Sequence, residues 1–270
     1  MTPRLFLQIV SLEARTKFSY RVDFWINTVV GFSVELFVAW FLWKAVFEAS
    51  GAELIGGRTF PQMVVYVIAA VLLGKFAIGR DFEGTISGDI YEGGLNRYLL
   101  FPANYVGVKY AQQLGRMVPL VVQVLLFGAF VVPLLGVAGE FKLSFGSVAM
   151  AMVALAVSNL LNFLMVFPLQ ATAFWADNVW SLMVAQRIVG SILGGFLLPL
   201  SVFPDAMRTT LEYLPWRFFY DFPARVMLGE IGFAEWLPGM ALALGWCVVF
   251  RFLGRAVWNR GLYQYSGVGI

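Results

Sequence analysis

The side chains that could do chemistry are few in this chain, and their spacing suits none of the common reactions. Histidine is absent, which removes the usual general base, metal ligand and catalytic-triad member. The one cysteine, Cys247, sits in an apolar run and excludes both an intramolecular disulfide framework and a thiolate metal cluster. No metal site is expected. Glu35 is the deepest ionisable group, midway along the first apolar run. Such a carboxylate either lines a path or subunit seam, or is paired with a polar group on a neighbouring helix. Carboxylates do not recur across adjacent runs, as a proton relay would require. A phosphate-binding loop is missing too; Gly74-Lys75-Phe76 lacks the rest of that motif. Any ATP the protein uses must therefore bind elsewhere.

The densest polar constellation lies in residues 84–102, between two apolar runs. Asp89, Glu92, Asn96 and Arg97 follow one another there, interleaved with Ile90, Leu95 and Leu99, before Pro102. The pattern predicts a helix over about 89–100, capped by Ser87 and stopped by Pro102. Gly93-Gly94 weakens that helix, since each glycine costs roughly 1 kcal/mol relative to alanine. A weak helix of this kind needs an outside surface, and a partner protein would supply one.

The elements around this segment are hydrophobic. Of the 270 residues 60% are hydrophobic and 13% charged, with mean hydropathy +0.78, which excludes an ordinary soluble domain. The reading is an all-α polytopic membrane protein, one transmembrane domain over 1–270. Net charge is +3, which fits cytoplasmic loop bias and implies no nucleic-acid partner. The N-terminus does not read as a cleavable signal, because Arg4, Glu13, Arg15 and Lys17 interrupt it.

Residues 1–22 read as an amphipathic helix, interfacial or simply cytoplasmic, with Leu5, Ile9, Leu12 and Thr16 on one face. Six spans are expected, at about 24–47, 61–82, 105–135, 143–174, 180–203 and 233–253, each long enough for a hydrocarbon core of roughly 30 Å. Trp25, Trp40 and Trp43 are expected at the interfaces, and a tight turn over 136–142 joins the third and fourth spans. Lys75 and Arg80 are expected to snorkel to the surface, and Asn162 and Gln170 to hydrogen-bond between helices. With both termini in the cytoplasm, 13 of the 19 Lys and Arg fall on the cytoplasmic side and 6 outside. Residues 84–102 then face the cytoplasm and 204–229 face out.

The outer segment, 204–229, is too charged to span. Pro204-Asp205 opens a short helix that Pro215 ends. Trp216, Arg217 and Pro223 lead to a second helix over about 224–229, with Gly229 as its stop. The pair reads as a hairpin dipping into the outer leaflet, or as an amphipathic loop on it, with Arg217, Asp221 and Arg225 in water.

These features together resemble the permease subunit of a type-2 ATP-binding-cassette exporter, in its short bacterial six-span branch. The resemblance spans the chain. It rests on Ile86-Ser-Gly-Asp-Ile-Tyr-Glu-Gly-Gly-Leu-Asn-Arg-Tyr-Leu-Leu-Phe-Pro102, on Leu198-Pro-Leu-Ser-Val-Phe-Pro204 with Leu214-Pro215-Trp216, and on Trp258-Asn-Arg-Gly-Leu-Tyr-Gln-Tyr-Ser-Gly267. It implies an N-terminal interfacial helix, a cytoplasmic coupling helix and an outer re-entrant hairpin that gates the exit. Asp89, Glu92, Asn96 and Arg97 would face an ABC ATPase subunit, with Ile90, Leu95 and Leu99 packing on it or on the membrane base. The Gly93-Gly94 pair departs from the pattern and would shift that docking contact. The resemblance further implies a second permease, identical or related, and a bacterial cytoplasmic (inner) membrane. The chain itself would be no enzyme and would bind no cofactor; its partner would hold ATP and Mg. Lipids, amphipathic drugs and glycolipids all suit the aromatic spans as cargo. A secondary carrier would instead show inverted-repeat halves with paired broken helices, and only the Gly-rich fifth run hints at a break. A membrane scaffold or assembly factor would have no ATPase partner.

Overall fold

The computed structural model of the chain describes residues 2–19, 21–79, 84–134, 144–196 and 198–265. The described residues are mostly helical, with an isolated bridge between Ile55 and Arg58. In order the helices are α1 (Pro3–Ser19), α2 (Arg21–Ser50), α3 (Phe60–Ile78), α4 (Thr85–Tyr91), α5 (Leu95–Leu99), α6 (Tyr105–Leu134), α7 (Phe145–Ala171), α8 (Trp180–Leu193), α9 (Asp205–Tyr213), α10 (Asp221–Met227) and α11 (Phe233–Leu262). Among the described residues four stretches are long and apolar enough to cross a membrane: Val29–Ser50, Phe60–Ile78, Phe145–Phe174 and Phe233–Leu262.

The third is the spine. α7 packs against α3, α10 and α11, and its polar residues face those neighbours rather than lipid. Asn159 and Asn162 donate to the carbonyls of Phe76 and Ile78 at 2.9 and 2.7 Å, occupying acceptors that the end of α3 leaves open. Gln170 Oε1 accepts from the Ile86 amide at 2.9 Å and so fixes the start of α4. The interhelical role expected of Asn162 and Gln170 is what these bonds supply. At the other end of α3, Gln62 Oε1 accepts from the Thr59 amide at 3.2 Å and Pro61 occupies the first turn.

Glycines set the closest crossings. A Cβ on Gly115 of α6 would lie 2.5 Å from the Val10 carbonyl oxygen, so α1 lies directly on α6 there. Phe6, Val10, Glu13 and Ala14 turn inward, while Leu5 and Leu12 stay exposed on the opposite side of α1. At the α7–α11 seam, Trp258 stacks on Tyr105 at 4.7 Å and meets Phe167 and Phe174.

Several expectations are corrected. The fifth run does not form one helix over 180–203. α8 stops at Leu193, about 21 Å long at the usual rise per residue. A Cβ on Gly194 would fall 2.4 Å from the Gly190 carbonyl oxygen and 2.6 Å from that of Trp216, and Gly195 takes a left-handed φ of 86°. The chain turns there because the segment before α10 fills the space ahead. Lys75 does not snorkel: its ammonium lies 3.0 Å from Glu35 and 4.1 Å from the centre of the Phe32 ring. Trp43 is buried and not placed at a surface. The Trp25 side chain, Arg80 and the 136–142 turn lie outside the described residues.

Candidate functional site

The polar segment after α3 forms two helices, where the pattern predicts one. Gly93 adopts φ 69°, open to glycine at little cost, and this breaks the run between Tyr91 and Leu95. α4 starts earlier than predicted, after Gly84 at φ 83°. Ser87 lies inside it, its hydroxyl donating to the Gly84 carbonyl at 3.1 Å. The glycine pair thus builds a hinge between two short helices.

The two helices are held from above. Ile86, Ile90 and Leu95 are fully buried in the base of the bundle, so Ile90 and Leu95 pack on the chain's own core. Asp89 also turns inward, against expectation. Its carboxylate lies 2.5 Å from the Lys109 ammonium of α6, accepts from the Tyr105 hydroxyl at 2.7 Å, and has Arg97 at 3.7 Å. Lys109 is itself buried, with the Tyr98 ring 4.7 Å beneath it. Tyr91 donates to the Ala176 carbonyl at 2.9 Å. α4 is therefore pinned to α6, to α7 and to the turn before α8.

The underside is open. Glu92, Asn96, Arg97 and Leu99 are exposed, followed by Leu100 at 87% and Phe101 at 65% exposure, then Pro102. Acid, amide and cation border an apolar ridge four residues long. That combination suits a protein surface with a groove and complementary charge.

The second cluster lies at the far end of α3. That helix is about 28 Å long, and it separates the 51–59 loop from α4. Around that loop gather α9, α10 and the turn after α8. Arg58 forks onto Glu230 at 2.6 and 3.3 Å and donates to the Ser201 hydroxyl at 2.7 Å. Arg225 reaches Glu230 at 3.2 Å and Asp221 at 3.7 Å. Asp221 is 1% exposed, and its Oδ1 lies 3.0 Å from the Tyr66 hydroxyl, which is also 2.8 Å from the Gly195 carbonyl. Burial pushes the Asp221 carboxyl above its ordinary range, against the pull of Arg225 and Arg217.

Asp221 is thus not in water, and Arg217 and Arg225 are partly enclosed. Arg217 donates to the Glu212 carbonyl at 2.7 Å and lies 5.3 Å over the Phe222 ring. The hairpin helices also differ in extent from expectation: α10 begins at Asp221, so the buried Pro223 sits in its first turn, where no amide hydrogen is needed. Pro204 precedes α9. Asp205 is exposed and pairs with Arg208 at 3.1 Å. Pro215 is buried and opens a short 3-10 turn to Phe219, and Trp216 packs against Gly190 of α8. Glu35, the third candidate, is the paired carboxylate described above.

Among the described residues, a helical bundle with four helices long and apolar enough to cross a membrane, a pinned polar elbow at one end and a pair of short helices at the other defines a helical membrane protein. Residues 33–269 match the family model described as ABC-2 family transporter protein, and the chain belongs to that family. No curated protein matches it. It is accordingly a permease component of an ABC-type transporter, a transport part whose ATPase activity resides in a separate subunit.

Proposed function

We propose that the chain is the membrane-spanning half of an ATP-driven exporter or flippase for a lipophilic or amphipathic substrate. It crosses the bacterial cytoplasmic membrane six times, with both termini in the cytoplasm. α6 would supply a fifth crossing, and the short α8 with the turn that follows it the sixth. Two such permeases, identical or related, stand side by side with lipid around them. The α4–α5 elbow is the docking element for an ABC ATPase.

One observation carries this reading: the elbow is fastened on its upper face and bare on its lower one. Asp89, Ile90 and Leu95 bind it to the bundle, while Glu92, Asn96, Arg97 and the 99–102 ridge are exposed. ATP closure of the partner would push on the ridge. Because Asp89 is tied to Lys109 and Ile86 to Gln170, the push reaches α6 and α7 directly. At the other end the hairpin formed by α9 and α10 closes the exit. Covalent chemistry stays in the partner, which holds ATP and Mg.

The test is affinity purification from native membranes, wild type beside Glu92→Arg/Arg97→Glu, with co-eluting proteins identified. An ABC ATPase should accompany the wild type and be lost with the charge-reversed variant. A well-folded wild type that brings down no ATPase overturns the exporter reading.

A further inference from the structure

Beside the buried Asp221 network lies a cavity of about 570 Å³, within the usual range for small-molecule sites. Gln62, Arg58, Arg208, Glu212, Arg225 and Glu230 form its polar wall, and Val65, Leu200 and Leu228 its apolar part. The polar groups are not equally committed. Arg58 is taken by Glu230 and Ser201, and Arg225 by Glu230 and Asp221. Among the described residues Arg208 pairs only with Asp205, whose side chain is 90% exposed; a pair so hydrated is worth little and exchanges readily. The Glu212 carboxylate makes no hydrogen bond or close ion pair among the described residues; it feels the charges of Arg217 and Arg225 only at longer range. Its backbone carbonyl is engaged by Arg217.

Arg208 and Glu212 stand four residues apart on α9 and so share one face, with Cβ atoms about 6 Å apart. A simple anion in the cavity would meet two glutamates, and a simple cation would meet three arginines. A group that carries both charges a few ångströms apart meets each with its opposite.

We propose that this cavity binds a small zwitterion, its primary ammonium on Glu212 and its phosphate or carboxylate on Arg208. The headgroup of an aminophospholipid and a free zwitterion share that chemistry. The site depends on neither the α4–α5 elbow nor an ATPase, so it stands or falls apart from the exporter reading.

The experiment is calorimetric titration of the purified chain in neutral detergent with glycerophosphoethanolamine, beside glycerophosphate. Glycerophosphoethanolamine should bind saturably and at least about tenfold more tightly, roughly 1.4 kcal/mol. Glu212→Gln should bring it down to the level of glycerophosphate without weakening glycerophosphate binding, which also shows that the variant is folded. Arg208→Gln should weaken both. Repeating the titration in nanodiscs separates the two sources, each of which upholds the site. Heat lost in phosphatidylethanolamine discs but kept in phosphatidylglycerol discs assigns the cavity to a lipid headgroup; heat kept in both assigns it to a free zwitterion. No saturable heat with folded wild type overturns the proposal, as does equal binding of the two probes with no effect of Glu212→Gln.

Discussion

The carboxylate of Asp89 and the ammonium of Lys109 meet at 2.5 Å across the seam between α4 and α6, both nearly excluded from water. Neither charge is available to a partner. The pair is a rivet between the elbow and a long helix, with the Tyr105 hydroxyl as a third member. Removing one member leaves the other charge buried, at a cost of about 3–5 kcal/mol. Asp89→Asn and Lys109→Met should each lower the unfolding midpoint substantially in detergent. The double variant, which buries no unpaired charge, should be more stable than either single. Additive single effects in a double-mutant cycle would remove the rivet from the account.

The exposed ridge behaves in the opposite way. Leu100 and Phe101 touch little of their own chain, so Leu100→Ser/Phe101→Ser should change stability by no more than about 0.5 kcal/mol. The same substitution should sharply reduce recovery of the ATPase in a pull-down. Normal recovery would place the docking contact elsewhere on the elbow.

What the sequence discloses here follows from the range of the forces. The apolar runs over α3, α7 and α11 are legible because length and hydropathy act locally. The break at Gly93 is visible as a glycine pair, but its consequence needs the base of the bundle that Ile90 and Leu95 fill. Asp89 reads as a surface acid because its partner Lys109 lies on α6, beyond the turn at Pro102, and only packing brings the two together. Glu35 and Lys75 are likewise on separate helices, and nothing in either span marks the other as its counter-charge. Asp221, between Arg217 and Arg225, reads as part of a wet loop. Its burial depends on the turn at Gly194–Gly195, which brings the hairpin against Tyr66.

Two glycines should tolerate no side chain. At Gly115 an added methyl meets the Val10 backbone, and at Gly194 it meets the backbone of Trp216, neither of which can rotate away. Overpacking of this kind typically costs about 1–3 kcal/mol. Gly115→Ala should loosen α1 from α6, visible as faster proteolysis within residues 3–19 with the remainder intact. Gly194→Ala should lower the midpoint of the whole bundle, because the hairpin seats on that turn. Unchanged proteolysis and midpoint would mean that these crossings relax freely.

The Tyr66–Asp221 contact makes a prediction about pH. A phenol has one hydrogen, yet the Tyr66 oxygen lies within hydrogen-bonding distance of two acceptors, the Gly195 carbonyl and Asp221 Oδ1. Uptake of a proton by Asp221 relieves the conflict: the acid then donates to the Tyr66 oxygen, and Tyr66 donates to Gly195. Burial favours that neutral form; Arg225, Arg217, the Tyr66 hydroxyl and Arg58 oppose it and do not prevail. The folded chain therefore holds this proton more tightly than the unfolded chain, whose carboxyl titrates near 3.8. The favourable contribution is full below that value and is lost as pH rises through the higher folded value. In Asp221→Asn the side-chain amide cannot titrate and keeps a donor at every pH. The stability of the wild type relative to that variant should accordingly rise as the solution is acidified and level off near the ordinary carboxyl value. Unfolding midpoints of both proteins, measured side by side across the acid range, give that difference directly. A difference that shrinks on acidification would mean that Asp221 is an anion held by its arginines.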